Sequence, residues 1–353
     1  METPTDEFHK PENLVAGIND ADDFFTRNCE KREEVIEGIM RESELGVLAG
    51  RYGLGKTPMG QDITVCAING ISWCGLKVPK RHVIVIDFES SGPGYKKGLK
   101  NICKRYGVGY PRVPDELEPY LQNDSAESPH TKTLLDVLSK KPEDRFKFIE
   151  TCLGAKPSAL VIIDPLAMLV NIDFNKGSSV LAVYRGLRMI LSKYPRAAIL
   201  STFNLRKRDR KALSSPDLLT DPRDWLDDVC GHSDILNRCD VRLGIDSWGN
   251  EVDGVKVING IRRGEHMEPI LMRSVPLSEN NWGGFELAPP KDTDVHFTLT
   301  TGQSEHWKKL PPRYRFEEVA DKLVPRASLS RLNKRAKSLG FLRETEGTFE
   351  KLV

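Results

Sequence analysis

Eight consecutive residues, Gly50-Arg51-Tyr52-Gly53-Leu54-Gly55-Lys56-Thr57, combine the residue types needed to grip a polyphosphate. The glycines let backbone N–H groups curl around phosphate oxygens, Lys56 supplies a cation to the outer phosphates, and the Thr57 hydroxyl is suited to magnesium. An apolar run, Gly46-Val47-Leu48-Ala49, precedes the loop and a helical pattern follows, which is the setting in which such a loop works. Pro58 is tolerable there because the first helical turn has spare N–H groups. The expected ligands are ATP and Mg2+, bound by residues 50–58; a glycine-rich turn that merely contains a lysine is the alternative.

Two further apolar runs end in acids. Leu160-Val161-Ile162-Ile163-Asp164 places a carboxylate at a strand end, where it can reach a metal through water, although an Asp before Pro165 can also cap a turn. His82-Val83-Ile84-Val85-Ile86-Asp87-Phe88-Glu89 ends in two acids, and hydrolysis needs a group that orients the attacking water. Glu89 is the better candidate; a carboxylate capping the turn at Ser90-Ser91-Gly92 is the competing reading.

Cations cluster in two other places. Arg206, Lys207, Arg208, Arg210 and Lys211 fall within six residues directly after an apolar strand. They are either a solvated face or a track for a phosphate backbone, and their position after a core strand favours the second. Residues 311–353 carry ten Lys or Arg against six Asp or Glu, with Arg331, Lys334 and Arg335 around an apolar seam of Leu329, Leu332, Ala336 and Leu339. DNA contact and protein docking both suit that pattern.

The elements that must position these groups follow from periodicity. Leu45–Ala49, His82–Asp87, Leu160–Asp164, Ala197–Thr202, Val241–Ile245 and Val255–Ile258 read as strands alternating with helical segments. The fold class is therefore α/β, a mostly parallel sheet covered by helices on both faces. Residues 1–43 read as an arm with a helix across Asp20 to Met40, 44–288 as the core, 289–310 as a linker and 311–353 as a small terminal domain. In that last domain, helices at Arg315 to Val324 and Leu329 to Leu339 and a hairpin turning at Glu346-Gly347 outline a winged helix. Pro114 to Asp144, with a short helix at Thr131 to Ser139, and Leu205 to Asp228 interrupt the alternation.

Basic and acidic residues nearly cancel at a net charge of +1 over 353 residues, so any nucleic-acid surface has to be local. Seven scattered cysteines without a CxxC pair fit reduced thiols and a cytoplasmic setting better than a disulfide framework. No segment reads as a signal peptide or membrane span, because the longest apolar stretch, Ala159 to Val170, is broken by Asp164 and Pro165.

Together these motifs resemble the RepA-like helicases, part of the RecA and DnaB lineage of hexameric P-loop motors, over about residues 34 to 275. Besides the phosphate loop and the two acidic strand ends, the resemblance rests on Pro165-Leu166-Ala167, Arg206-Lys207 and the run from Gly231 to Gly244. It implies a DNA-dependent ATPase with a RecA-like core, assembled as a hexameric ring around single-stranded DNA, with a primase or initiator protein as a further partner. It implies that Glu89 activates water and that an arginine from the neighbouring subunit, Arg262 by position, completes the site. Relatives usually carry a lysine two residues earlier, where this chain has Gly260. They carry histidines or a glutamine as a γ-phosphate sensor where this chain has Asn204, an amide that can still bond a phosphate. A non-translocating ATP switch that assembles on DNA and recruits a partner through the winged helix is the second expectation, and a small-molecule kinase the third.

Overall fold

The computed structural model describes residues 32–170, 172–205, 218–219, 221–228, 234–247, 255–278, 281–288, 306–338, 342–345 and 347–351. The chain divides into two units, Met1–Glu33 and Glu34–Val353, and every described element belongs to the second. The first of these elements is a hairpin of β1 (Glu34–Ile36) and β2 (Met40–Arg41), so the helix expected across Asp20 to Met40 does not reach its far end. Val35 and Ile36 are β-branched and fully packed, and Gly38 takes φ 68° in the turn, a conformation open to glycine.

The main sheet is organised around β3 (Leu45–Gly50), whose six residues are all buried. Parallel to it on one side run β7 (Ala198–Asn204), β6 (Leu160–Asp164), β4 (Val83–Ser91) and β5 (Leu117–Asn123), in that order. On the other side β8 (Val241–Ser247) is parallel, and β9 (Val255–Arg262), β11 (Ile270–Ser278) and β12 (Asn281–Leu287) continue antiparallel, with β10 (Glu265–His266) paired to β9. This is the RecA-like arrangement, in which β3 sits mid-sheet while the chain leaving it crosses over β7 and β6 to reach β4. Such a crossing opens a crevice at the carboxyl ends of the strands.

Alternation of side chains divides the core in two. Val47, Ala49, Ile84, Ile86, Val161 and Ile163 face α3 (Pro129–Ser139), α4 (Pro142–Ala155), α5 (Leu166–Val170) and α6 (Gly177–Lys193). Leu48, Val83, Val85, Leu160 and Ile162 face α1 (Lys56–Asn69) and α2 (Gly92–Tyr106). Two short helices, α7 (Pro222–Leu226) and α8 (Asp234–Asn237), add Trp225, Leu226 and Ile235 to the first cluster.

Helix α1 is buried almost throughout because β12 and α2 cover the side that the sheet does not. The terminal strand is fastened there by side chains instead of another strand. Asp62 accepts from the Phe285 N–H at 2.8 Å, and Arg105 donates to the carbonyls of Phe285 at 2.6 Å and Gly283 at 3.3 Å. These bonds close a sheet edge whose polar groups would otherwise stay unpaired in an apolar setting. Burial lifts the Asp62 carboxyl to about 6, partly offset by the Phe285 N–H and Arg105.

A C-terminal group contains β13 (Arg313–Arg315), α9 (Phe316–Val319), α10 (Arg326–Ser338), β14 (Leu342–Thr345) and β15 (Thr348–Lys351), with sheet order β13-β15-β14. The helix expected from Arg315 to Val324 ends at Val319, since Ala320 is extended and Asp321 takes φ 60°. The second helix, expected from Leu329, begins three residues earlier at Arg326, and β14 and β15 form the hairpin. Trp307 and Leu310, within the stretch read as a linker, are buried, and both carbonyls accept from Lys351 Nζ.

At the amino-terminal ends of the parallel strands, a fully buried Glu44 is neutralised by the β9–β10 turn. Its Oε1 lies 3.2 Å from Arg262 Nη2 and 3.1 Å from Arg263 Nε, while Arg262 Nη1 lies 3.6 Å from Glu34. Arg262 is only 13% exposed, so removing it strands a carboxylate in a dry setting. We expect Arg262→Ala to lower the unfolding free energy by about 3 kcal/mol in urea titrations, the range for breaking a buried pair. A loss below roughly 1 kcal/mol, typical of exposed pairs, would show that Arg263 alone satisfies Glu44.

Candidate functional site

The phosphate loop leaves the carboxyl end of β3 and enters α1 through Gly53 and Gly55, at φ 82° and 98°. Those angles are cheap only for glycine, which explains two of the three glycines. Arg51 is half-buried, Tyr52 stands 92% exposed at the loop tip, and Leu54 packs against the α1-side core. Lys56 is buried at the start of α1, and three oxygens hold its ammonium: Gly50 O at 2.9 Å, Arg51 O at 3.2 Å and Asn204 Oδ1 at 2.9 Å. Burial pulls the Lys56 pKa down, against the opposing pull of Asp164 and Glu89.

Asp164 ends β6 beside the first turn of α1. One carboxylate oxygen accepts from the Thr57 hydroxyl at 2.5 Å and the other from the Thr202 hydroxyl. On β4, Asp87 is fully buried and spends both oxygens on its own turn. Oδ1 accepts from the amides of Glu89 at 2.9 Å and Ser90 at 2.7 Å, and Oδ2 accepts from Ser90 Oγ at 2.7 Å. Asp87 therefore shapes the strand end that presents Glu89, which is exposed at the crevice. Burial raises the Glu89 pKa, the charges of Asp164 and Asp87 raise it further, and Lys56 opposes them.

A hydroxyl and a buried carboxylate touching at a phosphate loop form a hard-oxygen pair suited to magnesium. Asp164, Asp87 and Glu89 also burden one another electrostatically, a repulsion that a divalent ion would relieve. No group of three or more His, Cys, Asp or Glu among the described residues is arranged to hold an ion. The metal would therefore depend on Thr57, Asp164, water and the phosphates themselves.

The structure thus brings Lys56, Thr57, Asp164, Glu89 and Asn204 to one crevice. Arg262 stands apart: it pairs with Val241 across β8 and β9, whereas Gly50 at the phosphate loop pairs with Ile245. Arg206, Lys207, Arg208, Arg210 and Lys211 lie outside the described residues. Arg331, exposed, and Lys334 and Arg335 fall on α10. Thr202 was not singled out from the sequence; the signal was a hydroxyl pair, Ser201-Thr202, inside an otherwise apolar strand. The five described cysteines, Cys66, Cys74, Cys103, Cys152 and Cys239, are free and buried, and no described helix is long and apolar enough to cross a membrane.

Among solved structures, the chain is similar to the RadB recombinase, with 13% identity, a TM-score of 0.45, and 70% of this chain covered against 91% of that one. It is also similar to the flagellar accessory protein FlaH from Methanocaldococcus jannaschii, with 11% identity, a TM-score of 0.43, and coverages of 70% and 90%. No curated protein matches the sequence. Residues 10–209, more than half of the chain, match the family model described as an AAA domain. With the loop and its lysine in place on a RecA-like sheet, the chain belongs to the AAA domain family of P-loop ATPases.

Proposed function

We propose that the protein is a DNA-dependent ATPase of the replicative-helicase type, a ring of subunits that draws single-stranded DNA through its channel as ATP is hydrolysed. Water attacks the γ-phosphate in line, Glu89 orients that water and accepts its proton, and Lys56 offsets the charge that builds on the phosphoryl oxygens. Thr57 and Asp164 would hold magnesium, which would supply positive charge to offset that of the phosphates.

The bond from Lys56 Nζ to Asn204 Oδ1 carries this reading. When Lys56 turns to a γ-phosphate it gives up Asn204, and Asn204 stands two residues before the basic run Arg206 to Lys211. The state of the phosphate is thereby passed to a segment whose charge suits a nucleic-acid backbone. The trans cation comes from the β9–β10 turn. Arg262 reaches a neighbour only by leaving Glu44 and Glu34, whereas the half-exposed Arg263 side chain has, among the described residues, one ion pair, to Glu44.

One observation favours a second reading, a non-translocating switch that recruits a protein through the C-terminal helices. Arg326 at the start of α10 is committed to Glu317 and Asp321, which reduces the charge that face offers to DNA. Strand separation during ATP turnover separates the two.

ATPase assays with and without single-stranded DNA should show strand-stimulated turnover that Lys56→Ala and Glu89→Gln each abolish; indifference to nucleic acid would defeat the motor reading. The pH profile gives an independent check. Because the Glu89 pKa is raised, the base is protonated, and activity lost, as pH falls through a value above the ordinary glutamate range. An acid limb of kcat/KM at or below the ordinary value would remove Glu89 from that role.

A further inference from the structure

The first turn of α1 is one donor short. With Gly55 as N-cap, the first bond closed within the helix runs from Met59 N to Gly55 O at 2.9 Å. The amides left to face an anion are those of Gly55, Lys56, Thr57 and the residue after it. That residue is Pro58, which has no N–H.

A cation stands at the same end of the loop. Gly50 pairs with Ile245 on β8, and Ser247, two residues further along, pairs with Lys256 on β9, so Lys256 lies just past the carboxyl end of β3. Ile258 and Ile245 belong to the apolar cluster on the α1 side, and Lys256, two residues from Ile258, shares that face. Its Cε is 3.6 Å from where a Cβ on Gly55 would project, and Phe285 Cζ is 3.3 Å from the same point. The side chain is half-buried, and burial lowers its pKa although Asp246 pulls the other way. Asp246 itself accepts from Trp225 Nε1 at 2.9 Å. Among the described residues the Lys256 ammonium makes no hydrogen bond or ion pair.

We propose that Lys256 binds the nucleotide in cis, its ammonium standing in for the amide that Pro58 withholds. The sheet order fixes which phosphates it meets. Asp164 on β6 and Glu89 on β4 lie to one side of β3, and Lys256 on β9 lies to the other, so it faces the nucleoside end of the polyphosphate rather than the γ-phosphate. The ligand class is therefore nucleoside di- and triphosphates alike. This assignment rests on the reading of the loop as an ATP site.

The test is a binding titration of the full chain with ribose-labelled fluorescent ADP and ATP, with magnesium, read by anisotropy. Lys256→Met should weaken both nucleotides by a similar factor of about ten, the worth of one charge-assisted hydrogen bond. Lys256→Arg should keep most of the affinity. Pro58→Ala, which restores an N–H, should recover part of the loss when added to Lys256→Met and strengthen binding by a smaller factor when made alone. Rescue of that kind cannot come from a packing role of the lysine stem. Unchanged affinity in Lys256→Met, weakening of ATP alone, or strictly additive effects of the two substitutions would each overturn the assignment while leaving the ATP site intact. Failure of the unaltered protein to bind either nucleotide would overturn both.

Discussion

One lysine and two carboxylates, Asp87 and Asp164, meet where the parallel strands end, in a place too dry to hold them singly. Asp87 is fully buried, Asp164 and Lys56 are nearly so, and the exposed Glu89 borders them. A charge removed from water is tolerated only when opposite charge or fixed dipoles replace the lost hydration. Each of the three buried groups has such a substitute: two loop carbonyls and an amide for Lys56, the Thr57 and Thr202 hydroxyls for Asp164, and two amides and the Ser90 hydroxyl for Asp87. The substitutes for Lys56 and Asp164 come from the phosphate loop, from β7 and from α1, so their balance holds only while β3, β6 and β7 keep their register, whereas Asp87 is satisfied within its own strand end. The charged cluster and the sheet are in this sense one electrostatic object. A nucleotide that displaces the carbonyls from Lys56 necessarily disturbs the strand ends that carry them.

The rest of the fold follows from keeping α1 in place. A helix that carries a phosphate loop cannot expose one face to water and still be held on every side, so β12 and α2 close over it. The closure uses a buried charge, Asp62, where an apolar residue would pack at lower cost. Its return is directional: Asp62 and Arg105 bind the two sides of one peptide group region at Phe285, and the Phe285 ring is thereby set against Gly55. An apolar contact would fix the distance of the last strand from α1 but not its register.

Legibility in the sequence divides along the same line. Strands buried on both faces, such as Leu160–Asp164, announce themselves as unbroken apolar runs, and the acids at their ends point to the crevice. The one-sided strands do not. Edge strand β5, LEPYLQN, contains Pro119 and Glu118, and the sheet tolerates the proline because an edge strand has an unpaired side. Strands β11 and β12 contain Pro276, Gly283 and Gly284, which read as turn residues. Gly284 has φ 97° and a Cβ there would come within 2.7 Å of Asp62, so its identity follows from a contact more than two hundred residues away in sequence. Lys256 and the committed state of Arg262 were hidden for the same reason: both depend on pairing partners that no local pattern names.

Sterics also govern how cations are distributed across β9. The position where the resemblance leads one to expect a lysine is Gly260, and a Cβ there would fall 2.0 Å from the backbone carbonyl oxygen of Arg242. No side chain fits without moving β8, so that cation cannot simply be regained by substitution. Next along the strand, Arg262 is drawn inward by Glu44, an acid that needs it because it has no access to water. Only the turn residue Arg263, at φ 49°, remains half exposed at that end, while Lys256 occupies the opposite end of the same strand, against the phosphate loop. A strand that carries positive charge at either end but not at Gly260 sets its two cations apart: Arg263 stands half exposed in the turn at one end, and Lys256 lies against the phosphate loop at the other.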